Sequence, residues 1–280
     1  MQYSTFAAID IGSYDVILEI FEISKKQGIR SVDKICHRME LGKDTYTLGK
    51  IRPEMEEELC RVLADFVRIM EDYRVDDYRA TASSAISEAS NSLYVLGKIH
   101  QLTGLSVTVL SNSEQRFLSY KALAAMEDNF NKIIEKGTAI LDLDGGSFQI
   151  SLFDKDALVT TQNIRMGSLR IRERLAGIQS ETEHYEEMVE ELIWNEVSSF
   201  KKMYLKDRKI ENIMLIGDVF TDSVYQNIEE KTTKIISREN FNTWYEKIIR
   251  QSPMELAVKL GIPLENASLM YPSAVIYKCL

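Results

Sequence analysis

The sequence is poor in the residues that build disulfide frameworks and zinc sites. It contains 3 cysteines and 3 histidines in 280 residues. The cysteines (Cys36, Cys60 and Cys279) have no metal-ligand spacing and cannot all pair, which favours a reducing compartment and ordinary packing roles. The histidines are scattered along the chain, which argues against a histidine-based zinc site.

Long apolar runs and an excess of basic residues are also lacking. No apolar run reaches the roughly 18 residues of a membrane span, and the first ten residues lack the pattern of a signal peptide. The net charge of −9 and the pI of about 5.1 argue against a general nucleic-acid binder. Hydrophobic residues make up 45% and charged residues 28%, as in globular proteins. We expect a cytoplasmic protein of one or two domains that binds neither membrane nor nucleic acid.

The first half of the chain predicts alternating strands and helices. Residues 5–22 read as a β-hairpin that turns at Gly12 and Ser13. The other predicted strands are Ile35–Leu41, Tyr78–Ala82 and residues 105–110, with a polar loop at Gly42–Gly49. Helices are predicted from Pro53, from Leu93 to a cap at Gly104, and after a cap at Ser113.

The second half repeats this alternation after a polar connection at residues 126–136, where we place the domain boundary. A long helix is predicted at 181–204, with Ser180 and Glu183 as a capping box, followed by a strand at 212–217. A last helix is predicted to begin near Pro272. It is cut off at Leu280, which is consistent with a fragment of a longer chain.

One internal repeat links the two halves. When Asp10 is aligned with Asp142, Phe21 pairs with Phe153 and Glu22 with Asp154 without a gap. Each copy reads as a strand, an aspartate, a turn of glycine and serine, and a second strand. Two such units in one chain indicate a duplicated ribonuclease-H-like fold.

Both turns have the composition of an anion site. A tight turn that tolerates positive φ exposes several backbone N–H groups in one concavity, and Ser13 and Ser147 add hydroxyl donors. Asp10 and Asp142, at the ends of the preceding strands, are placed to hold a divalent cation directly or through water. Either turn alone would be read as an ordinary hairpin turn, but their shared register favours a phosphate site.

The motifs in this chain resemble those of the exopolyphosphatase / guanosine-pentaphosphate phosphatase (Ppx/GppA) family, in order and over nearly the whole length. The two turns, DIGSYD (10–15) and DLDGGSFQ (142–149), resemble the phosphate motifs D-x-G-S-N-S/T and D-I-G-G-G-S-T-E. The other matching segments are LGKDTYTLGKI (41–51), SSAISEASN (83–91), LSNSEQRFLSY (110–120), RMGSLRIRERL (165–175), GDVFT (217–221) and ASLMYPSAVI (267–276).

The resemblance implies an α/β protein of the actin-like ATPase superfold, with two ribonuclease-H-like domains and a cleft between them. The domains would span 1–126 and 127–280, with the helix at about 272–280 returning toward the first. It also implies hydrolysis of a phosphoanhydride, Mg²⁺ as cofactor, polyphosphate or guanosine pentaphosphate as ligand, and a homodimer. The metal residues would be Asp10 and Asp142, and the catalytic residues would be Glu114, Gln115, Asp142 and Gln149.

The phosphate-binding residues carried over from the motifs lie on both turns and on three other segments. They are Gly12, Ser13, Tyr14, Ser87, Gly145, Gly146, Ser147, Arg165, Gly217 and Thr221. Arg165 and Arg170 are the arginines that the motif supports, and Arg172 and Arg174 are expected on a solvated helix face.

Several of these positions depart from the family pattern. The two family glutamates fall on Gln115 and Gln149, and the phosphate-clamping arginine falls on Ser87. An amide cannot accept a proton at neutral pH, although a glutamine that orients water can suffice for phosphoryl transfer. A one-residue slip of the alignment would restore an acid at Glu114. Tyr14, Asp144 and Phe220 replace an asparagine and two glycines of the family.

Three functions therefore remain open from sequence. The first is a phosphohydrolase with weakened activity. The second is an inactive sensor of the same ligands, acting through a C-terminal domain that this chain lacks. A sugar or acetate kinase of the same superfold is a weaker third reading, because no segment resembles the specific motifs of those kinases.

Overall fold

The computed structural model describes residues 3–26, 28–126, 130–179, 185–206, 208–217 and 237–280. Contacts divide the chain into two compact units, Met1–Leu118 and Ser119–Leu280, each with its own sheet. The division falls inside one helix, ahead of residues 126 and 127, where the domain boundary is predicted from sequence. None of the described helices is long and apolar enough to cross a membrane.

The first unit is a mixed five-stranded sheet of order β3-β2-β1-β4-β5 with helices between its strands. β2 is antiparallel to β1 and β3, whereas β4 is parallel to β1 and β5. The strands are β1 (Ser4–Ile11), β2 (Asp15–Ser24), β3 (Gly28–Arg38), β4 (Asp77–Ala82) and β5 (Val107–Val109). The helices are α1 (Leu41–Leu48), α2 (Pro53–Asp72), α3 (Ser84–Ser87), α4 (Ser92–Thr103) and α5 (Asn112–Met126).

Alternation along the first hairpin builds the core of this unit. Ile9 and Ile11 on β1 and Leu18 and Ile20 on β2 are fully or almost fully buried, because side chains two apart share one face of a strand. The helix predicted from Pro53 is confirmed, and its apolar stripe joins the same core. The hairpin predicted at residues 5–22 is also confirmed.

The polar loop predicted at Gly42–Gly49 is wrong, because this segment forms α1. Its stabilising contacts come from distant parts of the chain: the Gly42 N–H donates to the Ser13 carbonyl at 2.8 Å, and the Thr45 hydroxyl donates to the Ala85 carbonyl at 2.7 Å. Gly49 caps the helix with a positive φ of 71° rather than forming part of a loop. Local composition carries no sign of these tertiary contacts.

Three other boundaries in the first unit differ from the expectation. β3 begins and ends earlier than the predicted strand Ile35–Leu41, because Leu41 already starts α1. The cap of α5 is Ser111 and not Ser113, since the Ser111 hydroxyl accepts from the Glu114 N–H. β5 is limited to Val107–Val109 of the predicted strand. The end of α4 at a left-handed Gly104 is as predicted.

The second unit is a four-stranded sheet of order β8-β7-β6-β9. β6, β7 and β8 are antiparallel neighbours, and β9 is parallel to β6. The strands are β6 (Thr138–Leu143), β7 (Phe148–Asp154), β8 (Ala157–Ile164) and β9 (Asn212–Ile216). The helices are α6 (Phe130–Ile134), α7 (Ser168–Gln179), α8 (Tyr185–Tyr204), α9 (Arg238–Ile249), α10 (Pro253–Leu260) and α11 (Leu264–Cys279).

One face of this sheet packs on the large helical core, through side chains such as Leu141 and Ile150, together with Val189 and Ile193 of α8. The residues proposed for the capping box before α8, Ser180 and Glu183, lie outside the described part of the chain. The strand at 212–217 is confirmed as β9.

The predicted start of the last helix near Pro272 is wrong. α11 begins at Leu264 after Pro263, and Pro272 lies buried inside it. The chain does place a proline at the helix start, where its missing N–H costs nothing, but that proline is Pro263. α11 packs on α7, α8, α9 and α10 within the second unit.

The two hairpins have the same hydrogen-bond register, as the internal repeat predicts. Asp10 lies opposite Ile17, and Asp142 lies opposite Gln149. Each turn is closed by an equivalent bond: Gly12 N–H to the Asp15 carbonyl, and Asp144 N–H to the Ser147 carbonyl, both 2.9 Å. The duplicated ribonuclease-H-like unit is therefore visible in backbone geometry as well as in sequence.

Candidate functional site

The turn between β6 and β7 is held against the start of α7. The Arg170 backbone N–H donates to the Gly145 carbonyl at 2.9 Å, and its guanidinium Nε donates to the Gly146 carbonyl at 2.8 Å. Gly145 and Gly146 are buried, and Ser147 is partly exposed. Arg170 thus fixes the backbone of the turn through two carbonyl groups. The sequence motif includes this arginine but gives no indication of that role.

Gly167 lies directly against this turn and was not singled out from sequence. A Cβ atom at this position would lie 2.2 Å from the Asp144 carbonyl oxygen and 2.4 Å from both C and O of Gly145. The glycine is required by close approach of two backbones, and it does not have a positive φ. The only sequence signal for it is its place in the RMG motif.

Asp144, which replaces a family glycine, uses its carboxylate within the turn. Its Oδ1 accepts the Gly145 N–H at 2.6 Å. A nest for an anion offers such N–H groups to the ligand. The Asp144 side chain therefore occupies one donor of the predicted phosphate site and adds a negative charge beside it.

Asp142 precedes this turn on β6 and lies next to Gln149 on β7. The Ser119 hydroxyl of α5 donates to Asp142 Oδ2 at 2.8 Å. Burial raises the pKa of Asp142 above its usual value, and the Ser119 hydrogen bond acts in the opposite direction. Gln149 is only 6% exposed, and its Oε1 atom has no hydrogen-bond partner.

The β1–β2 turn of the first unit uses its side chains differently. Ser13 is fully buried, and its hydroxyl bonds the Tyr46 hydroxyl at 2.7 Å and the Ser84 hydroxyl at 3.2 Å. Tyr46 and Ser84 also bond each other at 2.9 Å. The structure therefore engages Ser13, predicted as a phosphate donor, in a hydroxyl cluster. Gly12 lacks the positive φ expected for it, but a Cβ there would lie 2.9 Å from the Asp15 carbonyl oxygen.

The acidic groups of this turn are Asp10 and Asp15. Asp10 is an exposed residue, yet the surrounding protein desolvates its carboxylate, and together with the charge of Asp15 this raises its pKa to about 6. Thr81 is within 3.5 Å of Asp10 Oδ1 and opposes the shift. Tyr14 is buried beneath the Arg38 guanidinium, 4.4 Å from the ring centre. Ser87 is exposed at the end of α3.

The start of α5 distinguishes the two residues proposed as catalytic there. Glu114 Oε2 accepts the Ser111 N–H at 2.9 Å and the Ser111 hydroxyl at 2.7 Å, so Glu114 closes a capping box. These hydrogen bonds lower the Glu114 pKa. Gln115 lies four residues before Ser119, and such residues share one face of a helix. Gln115 therefore shares a face of α5 with Ser119, and its side chain is partly buried.

The remaining predicted residues are less closely grouped. Arg165 is exposed immediately after β8, and Gly217 follows β9 with a φ of 39°. Thr221 and Phe220 lie outside the described residues. Arg172, expected on a solvated face, instead pairs with Glu173 at 2.6 Å and donates to the Ser268 hydroxyl of α11 at 3.0 Å.

The chemistry of the second unit fits a hard cation near Asp142. No cluster of three or more histidine, cysteine, aspartate or glutamate side chains is found in the described ranges. Mg²⁺, however, is commonly held by one or two carboxylates together with waters and substrate phosphates. The Asp142 carboxylate and the unpartnered amide oxygen of Gln149 are oxygen donors of the type that Mg²⁺ prefers.

Comparison with protein families identifies the chain. The sequence model of the Ppx/GppA phosphatase family matches residues 19–279. The chain belongs to this family. The match begins at Glu19, within β2 and after the β1–β2 turn, and it includes the β6–β7 turn. It confirms the resemblance inferred from the motifs.

Curated relatives of this Ppx/GppA protein are distant and longer. A bifunctional 3-dehydroquinate synthase/phosphatase of Fusobacterium nucleatum is 22% identical over 238 residues, which cover 80% of this chain and 34% of the relative. Exopolyphosphatase 1 of Mycobacterium leprae is 25% identical over 144 residues, which cover 51% of this chain and 41% of the relative. The matched part of the chain thus spans about a third to two fifths of the length of these relatives.

Solved structures show the same fold at low identity. An exopolyphosphatase from Cytophaga hutchinsonii superposes with a TM-score of 0.84 at 18% identity, over 99% of this chain and 89% of the other. The Ppx/GppA family member of Aquifex aeolicus gives a TM-score of 0.75 at 20% identity, over 99% and 90% of the two chains. The predicted α/β class and the actin-like ATPase superfold are confirmed.

Proposed function

We propose that this Ppx/GppA family member is a phosphoanhydride phosphohydrolase that acts on inorganic polyphosphate, guanosine pentaphosphate or both. The observation that carries the proposal is the β6–β7 turn, in which Asp142 precedes a glycine turn held rigidly by Arg170. The family membership and the exopolyphosphatase names of similar proteins support it.

In this proposal the β6–β7 turn holds the terminal phosphoryl group. Water attacks its phosphorus, the new P–O bond forms, and the bridging P–O bond breaks so that the shortened phosphate chain leaves. Positioning and electrostatics supply most of the catalysis in such transfers. A Mg²⁺ ion near Asp142 would neutralise charge on the phosphate oxygens.

Proton transfer is the weak step in this chain. Gln115 and Gln149 can orient the attacking water but cannot accept its proton, which would then pass to a phosphate oxygen. Glu114 is an acid, but its carboxylate is engaged in the capping box and its pKa is lowered, both of which weaken it as a base. We therefore propose slow turnover.

An inactive sensor is the second candidate, and the Asp144 hydrogen bond favours it. The Asp144 carboxylate accepts the Gly145 N–H, which a bound phosphate would otherwise use, and it adds a negative charge beside the phosphate. A sensor would bind the same ligands without cleaving them, and would act through a further domain or through a homodimer. Localisation in the cytoplasm suits either function.

The first test measures phosphate release from polyphosphate and from guanosine pentaphosphate with Mg²⁺, beside equilibrium binding of each. We expect slow release by the wild type and loss of about 100-fold or more in Asp142→Asn, since the variant retains the shape of the side chain but not its charge. Asp156→Asn, at the exposed tip of the β7–β8 hairpin, is the control. Binding without release would establish the sensor, and neither binding nor release would refute both candidates.

The second test restores a family acid. Gln149→Glu is expected to raise the rate of phosphate release by about 100-fold, the lower end of the range for a general base. Asn195→Asp on the exposed side of α8 adds the same charge elsewhere and should leave the rate unchanged. An unchanged or lower rate in Gln149→Glu would show that the base is not at this position.

A further inference from the structure

A row of polar side chains crosses three strands of the second sheet. Asp142 on β6 lies opposite Gln149 on β7, and Gln149 lies opposite Asn163 on β8. Directly opposed residues of antiparallel strands present their side chains on the same face. The three side chains therefore form one continuous row beside the β6–β7 turn.

Two members of this row have buried acceptor atoms without a hydrogen-bond partner. Four such side-chain atoms occur in the described part of the chain, and two of them are Gln149 Oε1 and Asn163 Oδ1. The next row down differs: the hydroxyls of Ser151 and Thr161 bond each other at 3.0 Å, and Tyr120 donates to Ser151. The polar side chains of that next row therefore have hydrogen-bond partners, whereas the two amide oxygens beside Asp142 do not.

A buried acceptor without a donor is costly, because it loses its hydrogen bonds to water and gains none within the protein. Asp142 adds a carboxylate, so the row presents three side chains with acceptor oxygens, two of them amides that also carry an NH2 group, and it has one negative charge. Nothing in it donates to the two amide oxygens. A ligand that suits this set is one that oxygen atoms surround, which is the preference of hard cations.

We propose that Gln149 and Asn163 direct their amide oxygens at a divalent cation that Asp142 also holds. The inference deepens the proposed function and rests on it for the choice of Mg²⁺. Asn163 has no counterpart in the motifs that identify the family. The row would bind the cation before any phosphate arrives, so that the amides retain the metal where the family pattern has a glutamate.

The test measures binding of Mg²⁺ alone by calorimetry and of Mn²⁺ alone by electron paramagnetic resonance, with no phosphate present. Asn163→Leu is expected to weaken both affinities by about tenfold or more, as loss of a supporting ligand does. Asn163→Asp should tighten them. Gln162→Leu, the neighbouring amide whose side chain lies on the opposite face of β8, should behave as wild type.

Thermal unfolding separates a cation ligand from a merely structural asparagine. In EDTA, Asn163→Leu should unfold at or above the wild-type temperature, because it removes an unsatisfied buried acceptor. Mg²⁺ should raise the wild-type midpoint and have less effect on the variant. A lower midpoint in EDTA would indicate that Asn163 is satisfied without metal and would overturn the inference.

The inference also fails if the wild type binds neither ion without phosphate, or if Asn163→Leu binds within twofold of wild type. Phosphate release is measured separately on the same proteins. Metal binding that depends on Asn163 without any hydrolysis would refute the hydrolase but retain the cation row. Hydrolysis together with metal binding that does not depend on Asn163 would refute the cation row and retain the hydrolase.

Discussion

Gly167→Ala is expected to lower the free energy of unfolding by about 3 kcal/mol, the upper part of the range for an overpacked site. The added methyl would overlap the Asp144 carbonyl oxygen and the Gly145 carbonyl group. Both are backbone groups, so no side-chain rotation relieves the overlap. Either the turn or the start of α7 must move, and the two Arg170 bonds to the turn are then lost.

Urea denaturation, with phosphate-ligand binding measured in parallel, checks this prediction. The matched control is Gly97→Ala on α4, where a new Cβ meets no atom within 4 Å. That control should gain about 1 kcal/mol from helix propensity alone. A Gly167→Ala protein with wild-type stability and binding would contradict the close approach of the two backbones.

Asp144→Gly, which restores the family residue, is expected to tighten binding of polyphosphate by about tenfold, or about 1.4 kcal/mol. The change removes a negative charge beside the bound anion and releases the Gly145 N–H. Asp144→Asn separates these effects, since its amide oxygen can still accept that N–H. It should recover only the part of the gain that comes from charge.

Ligand titrations at low and high salt provide the measurement. The gain in Asp144→Asn should shrink as salt rises, because screening weakens charge interactions at a partly exposed site. Asp156→Asn removes the same charge at the far end of β7, about 20 Å away along the strand and beyond the screening length. It should have little effect. Equal affinity in wild type and Asp144→Gly would show that the turn does not contact the anion.

Much of the fold follows from local patterns in the sequence. The alternation of apolar and polar residues predicts the hairpin at residues 5–22. A proline at the first position predicts the start of α2, and a glycine after the last turn predicts the end of α4. The α1 segment does not, because its helix depends on partners such as Ser13 and Ala85 from other parts of the chain. The cap at Ser111 belongs to an S-x-x-E pattern that ends at Glu114, so the sequence does carry a signal for it.

The sequence predicts those site residues that occur in both copies of the internal repeat. It does not predict those that join the site only through the pairing of distant strands or helices. The aspartates and glycines of the β6–β7 turn stand out because a second copy exists. Asn163 becomes relevant only when β8 is paired with β7, and sequence does not give that pairing. Gly167 has an ordinary φ, so its requirement for space arises only when the turn and α7 are brought together.

The shared register of the two hairpins has a consequence for how the halves diverged. Position by position, Gly12 corresponds to Asp144, Ser13 to Gly145 and Asp15 to Ser147. In the first turn the Ser13 hydroxyl bonds Tyr46 and Ser84, whereas in the second turn Arg170 holds the carbonyl groups of Gly145 and Gly146. One backbone frame therefore carries two different sets of turn side chains, whereas strand residues such as Asp10 and Asp142 or Phe21 and Phe153 remain alike.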